Sequence, residues 1–146
     1  LVNSNSMLEL GCKGFFIMAE GSQIDWEGHD NNFFGQYDEI EEFENAVTSA
    51  LAFAKNRQDT LVLVTADHET GGLLIEKDTL RYKETNQMKV TWNTAIGKGD
   101  HTGAMVPIFA YGPGSENFTG ILDNTDIFFA MQEAIGINDL PDGTCY

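Results

Sequence analysis

Gly14-Phe15-Phe16-Ile17-Met18-Ala19 is an unbroken apolar run that stops at Glu20-Gly21, the pattern of a strand covered on both faces. From Asp38 to Lys55 the periodicity changes. Ile40, Phe43, Val47, Ala50, Leu51 and Ala54 recur at steps of three and four, and Asp38, Glu39, Glu41, Glu42 and Glu44 crowd the beginning. This predicts an amphipathic helix with acids at the positive end of its dipole. Asn56 to Asp59 interrupt it, and Thr60 to Thr65 form a second buried-strand run that closes on Ala66-Asp67-His68. Strand, helix and strand in that order predict a βαβ unit and a parallel sheet.

Beyond Gly71-Gly72 the alternation from Leu73 to Trp92 is looser and carries several of the lysines. It reads as short antiparallel strands, a small lobe over 73–94 set beside the main sheet. Ala95 to Gly103 is a glycine-rich loop containing His101. Met105 to Tyr111 is a third strand candidate, closed by Gly112-Pro113-Gly114. Asp123-Asn124-Thr125-Asp126 offers caps for a last helix carrying Ile127, Phe128, Met131, Ala134 and Ile135. No repeat or linker divides residues 1–146, which read as one unit.

Composition narrows the function. The 146 residues are 42% hydrophobic and 21% charged, the balance of a globular chain rather than a disordered one. The net charge of -15 repels phosphate backbones, so nucleic acid is not an expected partner. No apolar stretch approaches the roughly 20 residues of a membrane-spanning helix. Cys12 and Cys145 are too far apart for a CxxC site, leaving a terminal disulfide or two thiols open.

The chain has three histidines, His29, His68 and His101, each beside an acid or a glycine turn. In open α/β sheets ligands collect at the carboxyl ends of strands, and Glu20, Asp25, Asp67 and His68 fall at such ends. Asp25 and His29 are four apart, so one helical turn aims both at one point. Alone, that pair is equally a helix-start acid and a solvated imidazole. Asp67 and His68 can serve one site only if the chain has already turned after its strand, and Gly71-Gly72 fits such a turn. Together the set is a mixed oxygen and nitrogen donor group of the kind zinc accepts, with a lone carboxylate such as Glu20 suited to magnesium.

A second metal motif competes. Asp30, Asn32, Gly35, Asp38 and Glu41 fall at positions 1, 3, 6, 9 and 12 of an EF-hand loop, but Phe34 stands where a ligand oxygen is needed. A noncatalytic acidic module binding calcium through Asp30 to Glu41 is therefore the alternative. Asn117-Phe118-Thr119 matches a glycosylation acceptor. No serine stands in a nucleophile elbow, and no P-loop is present.

The ordered set Glu20-Gly21-Ser22-Gln23-Ile24-Asp25, His29, Val64-Thr65-Ala66-Asp67-His68 and His101-Thr102-Gly103 resembles the carboxy-terminal metal motifs of alkaline phosphatases. The likeness runs from about Lys13 to Ile135. It implies a three-layer αβα α/β fold with a mostly parallel central sheet. It also implies Asp25, His29 and His101 as ligands of one Zn2+, Asp67 and His68 as ligands of a second, and Glu20 as a ligand of Mg2+. Trp26 occupies a position from which relatives reach toward phosphate or magnesium, which places its indole N–H near a water on phosphate. A packing role is equally compatible.

Departures from that pattern carry as much weight. The family's nucleophilic serine and phosphate-binding arginine have no counterpart, and Arg57 and Arg81 match no such motif. The resemblance therefore reads this chain as the carboxy-terminal part of a single catalytic domain, inactive alone. It implies hydrolysis of phosphate monoesters at alkaline pH through a phosphoserine, with inorganic phosphate as the other expected ligand. Related phosphodiesterases and sulfatases are the nearest enzymatic alternatives. The expected partners are the amino-terminal half or a second copy, since a partial sheet exposes an edge and an apolar face. The family context implies an extracytoplasmic location, periplasmic or secreted.

Overall fold

The computed structural model describes residues 14–77, 88–94 and 100–135. Cys12, Cys145, Arg81, most of the 95–103 loop and the segment after Ile135 lie outside them. Helix α1 spans Gln23–His29 and helix α2 Phe33–Arg57. Strands β1 (Val62–Thr65), β2 (Leu73–Lys77), β3 (Met88–Trp92) and β4 (Ile108–Tyr111) follow. A 3-10 turn at Ser115–Phe118 and helix α3 (Asn124–Ile135) end the described chain.

Helix α2 starts five residues before the expected point and takes in the whole predicted segment. Asn32 is its cap, its side chain accepting from the Gly35 N–H at 3.3 Å while its amide donates to Glu27 at 2.6 Å. Phe33, Phe34 and Tyr37 continue the helical phase with their rings in contact. The first turn is consequently free of acids. The acidic cluster occupies the second to fourth turns, where the dipole gives it little. The same finding removes the calcium alternative: from Phe33 onward the Asp30 to Glu41 segment is helix, and an EF-hand needs it as a loop.

The run over 14–19 is not a strand. It has no regular structure, and Phe16 and Met18 are 63% and 80% exposed. Phe15 meets Phe53 of α2 edge-on, but among the described residues no neighbouring strand offers a ladder. The other strands form two antiparallel pairs, β1 with β4 and β2 with β3. Val62 lies opposite Tyr111 and Thr65 opposite Ile108, while Leu73 faces Trp92 and Lys77 faces Met88. The βαβ unit and parallel sheet are therefore not formed among the described residues. What stands is the mixture of helices and strands, with the antiparallel pairing expected for 73–92.

Packing is correspondingly thin. Among the described residues the buried hydrophobic side chains are Ala54 and Phe118, and no large side chain is fully enclosed. Of the predicted stripe on α2, Phe43, Val47 and Leu51 are half-buried, while Ile40 and Ala50 are exposed. Helix α3 is closed by a reciprocal cap in which Asp123 accepts from Thr125 and the Asp123 N–H donates to Asp126 at 3.0 Å. No helix of the described residues is long and apolar enough to cross a membrane.

Candidate metal centre

Three short segments build the site. Helix α1 stacks Asp25 and His29 one turn apart, with Nε2 of His29 3.2 Å from Oδ2 of Asp25. Residues 67–72 leave β1 as a turn, as the Asp67-His68 reading required. Gly71 and Gly72 take positive φ values of +80° and +63°, a region side chains enter only under strain. The segment from Asp100 to Ala104 lies alongside, with the Gly71 N–H donating to the Asp100 carbonyl at 3.1 Å. Gly28 is buried at the end of α1, and a Cβ there would press on Thr70. Its lack of a side chain lets α1 approach the turn.

The convergence is tight. Ligand atoms of Asp25, His68 and His101 all lie within 4.8 Å of one another. The ring centroids of His68 and His101 are 3.7 Å apart, and those of His29 and His101 4.9 Å. Asp67 pairs with His68 at 3.2 Å from the outer side, its own side chain 86% exposed. Glu20 stands in a separate shallow cleft with Ser22, Gln23, Glu39, Glu42 and Phe43. Trp26 is 63% exposed, so it is not a core side chain of this chain.

Thr70 and Glu69, which the sequence did not single out, organise the cluster. The Thr70 hydroxyl donates to Oδ1 of Asp25 at 2.5 Å. That proton is then spent, so toward Nδ1 of His68 at 3.4 Å and of His101 at 3.2 Å the oxygen can only accept. The Glu69 carbonyl, an obligate acceptor, is 2.9 Å from Nδ1 of His101 and 3.3 Å from Nδ1 of His68. Both rings are thereby set with Nδ1 protonated, which leaves Nε2 as the nitrogen with a free lone pair. Nε2 of His68 lies 3.2 Å from Oδ2 of Asp67, an approach that a metal ion held between them would favour. Nδ1 of His29 is buried without a hydrogen-bond partner, a cost of about 1–3 kcal/mol. The donor set of carboxylates and oriented imidazoles fits a zinc ion.

The Glu69 carboxylate is itself perturbed. Burial pushes it up, but hydrogen bonds from the Thr102 hydroxyl and from the backbone N–H groups of Thr102, Gly72 and Leu73 outweigh this and hold it below the usual Glu range.

A family model for alkaline phosphatase matches residues 4–89 and 72–137. Alkaline phosphatase 3 of Bacillus subtilis is 34% identical over 86% of this chain and 42% of its own length. The alkaline phosphatase of Escherichia coli K12 is 38% identical over 86% of this chain and 28% of its own. Streptomycin-6-phosphate phosphatase of Streptomyces griseus is 35% identical over 86% of this chain and 30% of its own. Among solved structures, the alkaline phosphatase of the Antarctic bacterium TAB5 superimposes with a TM-score of 0.75 at 46% identity, covering 86% of this chain and 36% of that one. A variant of that enzyme, described with magnesium bound in its M3 site, gives 0.75 at 42% identity. The chain thus spans between 28% and 42% of the length of these relatives.

Proposed function

The chain belongs to the alkaline phosphatase family, and from that membership we propose that the whole protein hydrolyses phosphate monoesters at alkaline pH through a phosphoserine formed on a serine outside this chain. Asp25, His29 and His101 hold one zinc ion, Asp67 and His68 a second, and Glu20 a magnesium ion. When bound, the zinc pair supplies Lewis acidity at the attacking and leaving oxygens of an in-line displacement. The residues of this chain bind and orient: Thr70 fixes the Asp25 carboxylate, and the Glu69 carbonyl holds the Nδ1 proton of His101 so that Nε2 is the donor. The observation that supports this reading is the approach of Asp25 and His101, from the first zinc set, and His68, from the second, to within 4.8 Å of one another.

The missing parts complete the proposal. The chain forms part of a three-layer αβα domain whose amino-terminal half contributes the nucleophile and the phosphate-binding arginine, with the 73–94 hairpin region as an inserted lobe. That half, or a second copy, covers the exposed apolar side chains, and the whole enzyme works outside the cytoplasm. Trp26, exposed beside Asp25, contacts phosphate through a water.

Zinc and calcium titrations of the wild type and of the His29→Ala/His101→Ala variant test the metal reading. Zinc affinity falls in the variant and calcium shows no specific site. Unchanged zinc binding would sink the assignment. The chain alone should show no turnover of 4-nitrophenyl phosphate.

A further inference from the structure

The Glu69 side chain accepts three hydrogen bonds from two separate segments, and no role in the reaction proposed above uses it. Its Oε1 accepts from the Gly72 N–H at 2.7 Å. Its Oε2 accepts from the Thr102 N–H at 3.0 Å and from the Thr102 hydroxyl at 2.5 Å. The first bond closes the turn on which His68 sits, and the other two cross to the segment on which His101 sits. The same residue's carbonyl receives Nδ1 of His101 at 2.9 Å. One residue thus ties the two histidine-bearing segments together by side chain and main chain at once.

The chemistry demands a carboxylate. The Gly72 N–H approaches one oxygen and the Thr102 N–H and hydroxyl the other, and only an ionised acid offers acceptors at both. A glutamine of the same size must turn its NH2 either toward Gly72 or toward Thr102, losing one side of the clamp. An aspartate, one methylene shorter, cannot span from Gly72 to Thr102.

We propose that Glu69 is a positioning residue of the metal centre: its carboxylate locks the 100–104 segment onto the 67–72 turn, and its carbonyl keeps His101 with Nδ1 protonated and Nε2 free to bind the ion. The inference rests on the zinc reading given above. Residues that orient metal ligands typically cost about 10- to 100-fold in affinity when removed, and that is the loss expected for Glu69→Gln.

The test uses the purified 146-residue chain with Zn2+ alone for affinity and Co2+ alone as a spectroscopic reporter of ligand geometry. Glu69→Gln and Thr102→Val each weaken zinc binding about 10- to 100-fold and shift the Co2+ visible bands. Thr102→Ser, which keeps the hydroxyl, restores both. The double variant Glu69→Gln/Thr102→Val is no worse than the weaker single, because the two changes break one clamp. A Glu69→Gln chain that binds zinc within twofold of wild type with an unchanged Co2+ spectrum, while His101→Ala loses binding, overturns the proposal. If His101→Ala also binds as wild type, the metal reading itself fails and the clamp falls with it.

Discussion

The histidine cluster and the apolar layer of this chain have reached opposite states of completion. Around residues 67–72 and 100–104, Glu69, Thr70 and Thr102 place nearly every oxygen they offer against a donor or a ring nitrogen. In the other region Phe16, Met105 and Phe109 stand 63%, 79% and 64% exposed. The difference comes from what each requires. A hydrogen-bonded turn needs a few partners within reach of short segments, and α1, the turn and one loop provide them. A hydrophobic layer needs area on its other side, and that area is not among the described residues. The hydrogen bonds of the 67–72 turn and the 100–104 segment close among the described residues, whereas the apolar half does not.

The sharpest way to break this contrast is to truncate one aromatic from each state. Phe118 is 4% exposed, in the turn that lies against both β4 and α3. Phe118→Ala should cost about 3–5 kcal/mol in urea unfolding. Phe109→Ser, on the open face of β4, should stay within about 0.5 kcal/mol while reducing the binding of a hydrophobic dye. Equal costs would mean that Phe109 is covered in solution. Gly112→Ala comes next. Gly112 has φ +111° and a Cβ there would collide with the Thr60 carbonyl, so a loss of about 1–3 kcal/mol is expected, measured by the same unfolding curve. A neutral result would put the β4 end in a different conformation.

The smallest effect concerns pH. The Asp123 carboxyl is held below its ordinary value of 3.8 by the Thr125 N–H and hydroxyl. Because the folded value is lower than the unfolded one, the cap contributes above pH 3.8 and is lost as pH falls through the folded value. Asp123→Asn should therefore remove a weak loss of helicity below pH 4, followed by circular dichroism. An identical acid profile would show that the cap does not titrate with folding.

Much of the site was legible because its chemistry is written in local spacing. Asp25 and His29 lie one helical turn apart and meet at 3.2 Å, and Gly71-Gly72 marks the turn that follows Asp67 and His68. Glu69 and Thr70 were missed since nothing in their spacing distinguishes them from solvated loop residues. Their role depends on Thr102 and Asp25, 33 and 45 residues away. The fold was less legible for the reason the comparison gives. The run 14–19 has the composition of a buried strand, but composition states what a segment needs, and pairing depends on neighbours the described residues do not include. The start of α2 was misplaced because Asp38 resembled a first-turn acid, while Asn32 with Glu27 made the earlier cap.

The most direct measurement is native mass spectrometry of the wild-type chain and His101→Ala after equilibration with trace zinc. The account predicts zinc carried by the wild type and lost from the variant by more than the about 100-fold that a supporting residue costs. Equal zinc uptake by the two chains, or none by the wild type, would contradict it.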